Sequence, residues 1–427
     1  MKIAQISAGA GNMYCGSCLR DNTLAAALIR KGHEVLLIPA YTPTRTDELN
    51  VSSDNLFLGG INVYLQQHFS LFRKTPRFLD RLLDSSPLLR LTTRFGVSVD
   101  PARLGRLTVS MLQGTGGFLR KEVLRLAKFL VEGFSPDIVN IPNSLLISLA
   151  PAIKAASKVP VCCTLQGEEL FLDSLGEPYR SDSLRLIQKH AAHVDAFVAV
   201  SSFGAQHMAE YLGIERSRIQ VVPLGINFDG YSPRSGTDPE PFTVGYLARI
   251  VPEKGLHLLC EAYCRLLSRG GLPPSRLWAA GYLAPEHRSY LADIHKKMES
   301  CGLSGHFHYY GELNMREKID FLQNLSIFSV PGTRNDPKGR HLLEAMAGGI
   351  PVVQPRSGAF TEIVETTGGG VLVKSDDPED LSEGIWDLWK NPEKRRELGS
   401  RGYDGVRMHY GSDHMAEKAL EVYRSLL

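Results

Sequence analysis

Short apolar runs recur along the chain, each followed by a small or polar turn and then by a longer segment of helical period. In the first half they fall at 3–7, 35–39, 138–141, 161–164, 194–201 and 219–223. In the second half they fall at 242–246, 277–280, 307–310, 326–330 and 350–353. Runs this short and this continuous predict strands buried on both faces of a parallel sheet, with the helical segments as crossovers. The expected fold class is therefore α/β, as two Rossmann-like domains. A polar stretch rich in Gly and Pro, 234–241, separates residues 1–233 from 242–411 and reads as the linker.

The densest chemistry lies between 331 and 364. A helix is predicted from near His341, stopped by Gly348 and Gly349, where glycine tolerates a C-terminal cap. A strand at 350–353 carries Pro351 among its first residues, where the missing N–H is tolerated. The turn Ser357, Gly358, Ala359, Phe360, Thr361 then opens a helix carrying Glu362. Such a turn offers backbone N–H groups to a phosphate, and an acid beside it can accept hydrogen bonds from ribose or sugar hydroxyls. Read alone, Glu344 can equally cap or solvate an ordinary helix. Upstream, Arg249 and Lys254 follow the strand at 242–246, which places two cations at the sheet edge where open α/β sheets bind ligands.

At 427 residues, 43% hydrophobic and 22% charged, the chain is long enough for two cores and has the composition of a soluble globular protein. A formal charge of +2 argues against nucleic acid as a partner. Seven cysteines make a disulfide framework unattractive and favour a reducing compartment, with a cytoplasmic location expected. The start MKIAQISAG lacks a signal-peptide core, and no apolar stretch is long enough to span a bilayer. The strand, glycine loop and helix over 3–31 form a Rossmann-like unit, but the loop departs from G-x-G-x-x-G with a placed acid, which argues against NAD.

DPKGRHLLEAMAGGIPVV followed by SGAFTEIV resembles the E-x7-E signature of the retaining family 4 glycosyltransferases, also called glycosyl transferases group 1, which have the GT-B fold. Three more stretches agree in order: GHEV after the first helix, VVPLGINFDGYSP, and LARIVPEKG, which is similar to G-R-L-x-x-x-K-G. The resemblance implies that a hexosyl unit moves with retention from a nucleotide-diphosphate sugar to a hydroxyl acceptor, without a metal or other cofactor. It implies that Arg249 and Lys254 neutralise the diphosphate, that Asp336 faces the donor sugar and that Glu344 holds the ribose. Gly11, Gly16, Gly358, Ala359, Phe360 and Thr361 would line the phosphates and sugar, and Gly311 and Leu313 the base. Asn143 and Gln166 would lie on the acceptor side, and the last helix, 412–427, would return to the first domain.

Several positions depart from the family wording. Asp336 is one methylene shorter than the usual Glu, Lys338 replaces an aromatic, and Gln166 stands where histidine is frequent. Glutamine donates and accepts but does not titrate; a departing phosphate can take the acceptor proton instead. The alternative is a diverged GT-B protein that binds nucleotide sugar without turnover. Two further features allow more than one reading. Cys15-Gly-Ser-Cys18 begins a helix, as redox dithiols do, or forms an occasional disulfide, or is plain loop. Arg73, Lys74, Arg77, Arg81, Arg90, Arg94, Arg103 and Arg106 are interspersed with leucines and phenylalanines. They read as solvated helix faces, or as an acceptor or peripheral membrane patch on the inner membrane face.

Overall fold

The computed structural model describes residues 1–9, 15–53, 101–233, 239–270 and 274–427, with backbone alone for 101–103. Gly11, the arginines from 73 to 94 and linker residues 234–238 lie outside the described residues. The contacts divide the chain into two units, Met1–Gly225 with Met415–Leu427, and Ile226–His414.

Among the described residues the first unit carries six parallel strands: β1 (Lys2–Ser7), β2 (Glu34–Pro39), β3 (Ile138–Ile141), β4 (Val161–Leu165), β5 (Ala196–Ala199) and β6 (Ile219–Val221), in the order β2-β1-β3-β4-β5-β6. Successive residues face opposite sides, and both sides are apolar. Ile138 and Cys162 pack with Leu24, Leu28, Met415 and Tyr423, so helix Ser412–Arg424 seals one face. Val139, Ile141, Cys163 and Leu165 turn to the other face, under helices Arg120–Lys128, Leu149–Ala156 and Tyr179–Ala191. This two-sided burial is why each strand reads as a continuous apolar run.

The second unit repeats the theme with β7 (Phe242–Leu247), β8 (Ser275–Ala280), β9 (Phe307–Tyr309), β10 (Ile327–Phe328), β11 (Val352–Pro355) and β12 (Gly370–Val373). Their order, β12-β11-β10-β7-β8-β9, reverses between β7 and β10, all strands being parallel. A reversal of this kind leaves a crevice at the carboxyl ends of the two central strands, where doubly wound sheets bind ligands.

Local boundaries differ from the sequence reading in instructive ways. The strand expected at 350–353 begins two residues later, at Val352, and Pro351 stays outside the ladder while its carbonyl accepts from Phe328 N. At the end of helix Arg340–Ala347 the left-handed residue is Gly349, with φ 74°, while Gly348 keeps a near-helical φ of −86°. Helix Arg120–Lys128 widens at its end into a π-turn, Phe129–Phe134.

Candidate functional site

In the second unit, the loops leaving β7 and β10 are pressed together by glycines. Gly255 has φ 73°, and a Cβ there would lie 1.9 Å from the Pro331 carbonyl oxygen. Thr333 N donates to Glu253 O at 3.1 Å. This approach carries Lys254 Nζ to 2.5 Å from Asp336 Oδ2. The other oxygen, Oδ1, accepts from the amides of Lys338 (2.9 Å) and Gly339 (3.3 Å), so Asp336 also ties down the entry to helix Arg340–Ala347. Burial opposes its charge, but the Lys254 ammonium, the His341 ring and these hydrogen bonds outweigh that penalty and hold the carboxyl well below the usual carboxylate range. Arg249, on the same β7 loop, is exposed, and among the described residues its side chain forms no ion pair.

Gly358 follows β11 with φ 53°, and a Cβ there would meet Asp336 O at 2.5 Å and Asp336 N at 2.7 Å. The turn is bonded to the β10 loop: Gly358 N donates to Asn335 Oδ1, Ala359 N to Asp336 O, and Phe360 N to Ser357 O. Three of the four turn amides proposed for phosphate are thus engaged within the protein. The side chains of Ala359 and Phe360 are buried. Gly358 therefore serves first to let the turn lie against Asp336.

One turn into helix Arg340–Ala347, Glu344 is buried, and its Oε1 accepts from Lys318 Nζ and Arg340 Nε, each at 3.0 Å. His341 stands between the two acids, edge-on to Phe360 with centroids 5.4 Å apart. Its Nε2 is sealed from solvent without a partner among the described residues. Burial and the Lys254 ammonium pull its pKa down to about 4, against the opposing pull of Asp336 and Glu344, so the ring is neutral at pH 7. Gly311 (φ 79°) turns the chain after β9, its carbonyl accepting from Gly281 N at 2.8 Å. Half-buried Leu313 precedes Asn314, which caps helix Met315–Gln323 with Glu317 in a reciprocal box. Beside this turn Tyr310 meets Trp278 edge-on at 5.1 Å.

The first unit gathers its own polar groups at the carboxyl ends of β1, β3 and β4. Gln166 is buried, and its Nε2 donates to Pro142 O (2.9 Å) and Asp21 Oδ1 (3.4 Å). Glu168 joins the same loops, accepting from Ser144 N (2.9 Å) and Gln166 N (2.7 Å). Asn143, between them, is half-buried, with Oδ1 sealed and unpartnered among the described residues. Arg20 and Asp21, both buried, pair at 3.1 Å below this cluster. Gly16 opens helix Gly16–Arg30 with no atom within 4 Å of an added Cβ. Cys15 and Cys18 are not joined in a disulfide, and the hydrogen bond of the Cys18 thiol with Cys15 together with burial pushes that thiol's pKa far up, which opposes a redox role. Lys318, His341, Arg340 and Asn335 were not singled out by the sequence as site residues. Lys318 in particular lies in EKID, a pattern that reads as a solvated helix face.

Two six-stranded parallel sheets, one with a charged switch point, are the α/β architecture of the GT-B class. Solved structures with the same fold include Anabaena HepE in complex with UDP, at 18% identity and TM-score 0.69 with both chains covered in full. Another is sucrose-phosphate synthase from Thermosynechococcus elongatus, at 16% identity and TM-score 0.69, covering 100% of this chain and 99% of that one. Residues 228–405 match the family described as glycosyl transferases group 1, and residues 108–229 match glycosyltransferase family 4. The chain belongs to this family of glycosyltransferases.

Among curated relatives, it is 25% identical over 246 residues to D-inositol 3-phosphate glycosyltransferase of a Nocardioides species, 54% of this chain and 53% of that one. It is also 25% identical over 297 residues to the GDP-mannose-dependent alpha-(1-6)-phosphatidylinositol monomannoside mannosyltransferase of Mycobacterium tuberculosis, 65% of this chain and 73% of that one. The match to the first of these thus spans about half of the relative's length.

Proposed function

We propose that this protein transfers a hexosyl unit from a nucleotide-diphosphate sugar to a hydroxyl acceptor, with retention and without a metal ion. The observation that carries the reading is the switch point of the second sheet. Lys254 and Asp336 pair across the β7 and β10 loops, exposed Arg249 shares the β7 loop, and Glu344 lies one helical turn beyond Asp336's loop. Arg249 and Lys254 stabilise the negative charge that develops on the diphosphate as the bond to the anomeric carbon breaks. The acceptor oxygen bonds to that carbon on the face the diphosphate leaves, and its proton passes to the departing phosphate oxygen. That route needs no titrating side chain at Gln166. Glu344 accepts from the ribose, and the acids supply hydrogen bonds rather than metal ligands.

The names of the relatives make GDP-mannose and UDP-hexoses the first donors to try, with inositol phosphates and phosphatidylinositol lipids as acceptors. A lipid acceptor agrees with a peripheral membrane role for the arginine-rich stretch from Arg73 to Arg106. The test is transfer from this donor panel in the presence of EDTA, with the anomeric configuration of the product read by NMR. Transfer with the donor's configuration kept supports the reading; inversion or EDTA-sensitive transfer overturns the mechanism, and nucleotide-sugar binding without turnover on every acceptor overturns the activity.

A further inference from the structure

The carboxylate of Glu344 is held by two cations in an asymmetric way. Lys318 Nζ and Arg340 Nε both donate to the same oxygen, Oε1, at 3.0 Å each. Oε2 accepts no hydrogen bond among the described residues and is not sealed from solvent. Lys318 reaches in from helix Met315–Gln323, and its side chain is only 8% exposed. Arg340 is the first residue of the helix that carries Glu344, one turn below it, and its side chain is 11% exposed.

A buried lysine costs several kcal/mol of desolvation unless it is paired. One cation would meet the need of one buried carboxylate. Two on the same oxygen do something more: they fix the terminal torsion of the glutamate, which is otherwise broad and nearly two-fold. We propose that Lys318 and Arg340 are positioning residues that lock Glu344 so that Oε2 is presented, already oriented, to the ribose hydroxyls of the donor nucleotide. This rests on the reading of Glu344 as the ribose acceptor. A preset acceptor gives up less side-chain freedom when the nucleotide binds, and the bond it accepts from a hydroxyl is charge-assisted. The two cations thereby set how strongly the protein distinguishes a nucleotide with ribose hydroxyls from one without.

The experiment compares binding of UDP and GDP with their 2′,3′-dideoxy counterparts by calorimetry on the full chain. The unmodified protein should prefer the ribonucleotide. Lys318→Met and Arg340→Gln should each reduce that preference by about tenfold, the scale of one hydrogen bond, by weakening the ribonucleotide while leaving the dideoxy form unchanged. Arg340→Lys should restore part of the preference, and Lys318→Met should add nothing in a Glu344→Gln background. Equal weakening of both nucleotides, or unchanged preference, overturns the positioning role. Should Lys318→Met not fold, Arg340→Gln carries the same comparison. If Glu344→Gln keeps the full preference, or neither diphosphate binds, the ribose reading has failed instead. If Glu344→Gln abolishes the preference while both cation variants keep it, the positioning role alone has failed.

Discussion

Lys254 Nζ lies 2.5 Å from Asp336 Oδ2, and the two residues leave β7 and β10, the neighbouring strands between which the second sheet reverses. The pair joins the proposed leaving-group cation to the acid proposed to face the sugar. On that reading Lys254 has a second role, as the partner of Asp336, that Arg249 does not share. Arg249 is exposed and has no ion pair among the described residues.

Both cations should matter for turnover, and only one for folding. Arg249→Ala and Lys254→Ala are each expected to lower turnover by about a hundred- to a thousandfold. Lys254→Ala also strips Asp336 of its ammonium partner and should destabilise the protein by about 1–3 kcal/mol. Arg249→Ala should stay within about 0.5 kcal/mol of the unmodified protein. Thermal unfolding beside single-turnover rates separates the two. Full turnover in both variants would remove the diphosphate assignment.

Two glycines, one in each unit, should answer alanine differently. Gly358 has φ 53°, and a methyl would collide with the Asp336 backbone at 2.5 Å, so Gly358→Ala should cost about 1–3 kcal/mol and displace Asp336. Gly16 opens its helix with free space around the added carbon. Gly16→Ala should be neutral or stabilising by up to about 1 kcal/mol. Denaturant midpoints of the two variants make the comparison, and a tolerated Gly358→Ala would mean that the turn does not depend on glycine there.

The parts of this architecture that were legible are those written in local pattern. Ile3, Val139 and Cys163 lie in runs that can only be strands buried on both faces, and Gly255 and Gly349 mark turns that only a left-handed residue makes. The cations on Glu344 were not legible. Lys318 stands 26 residues before it and is buried in a long-range bond to it, which no period in the sequence encodes. Gln166 was expected at the acceptor, but the structure shows its amide already bonding Pro142 and Asp21. A hydrogen-bonding residue at a strand end reads the same whether it meets a ligand or a neighbouring loop.

That bonding makes Gln166→Glu a direct test of its place in the first unit. The amide nitrogen donates to a carbonyl and to the Asp21 carboxylate. A glutamate has no such donor when ionised and would set a second negative charge against Asp21 in a buried site. The expected cost is about 2–4 kcal/mol, read as a lowered unfolding midpoint that recovers partly on acidification. A stable Gln166→Glu would mean that the amide is not needed to tie the β3 and β4 loops together.

The last prediction concerns His341 and pH. Its ring, buried beside Phe360 and near Lys254, titrates at about 4 in the folded chain against an ordinary value of 6.5. Between these two values the unfolded chain binds the proton more readily than the folded one, so stability rises with pH across the window. His341's contribution is complete above pH 6.5 and is lost as pH falls toward 4, by up to about 3 kcal/mol. Asp336 acts in the same sense but lower on the scale. Its carboxyl is held below the usual range, so its stabilisation is present above the ordinary carboxylate value and disappears only as pH falls through the folded one. Above pH 4.5 the two do not overlap, so of this pair only the histidine contributes there, beside His33, His190 and His257, whose pKa values burial also lowers. Guanidinium midpoints at pH 4.5 and 7 should therefore differ less for His341→Gln than for the unmodified protein. An identical difference in both would mean that the ring carries a proton in the folded state at pH 4.5, or finds a partner for Nε2 that keeps its pKa near the ordinary value.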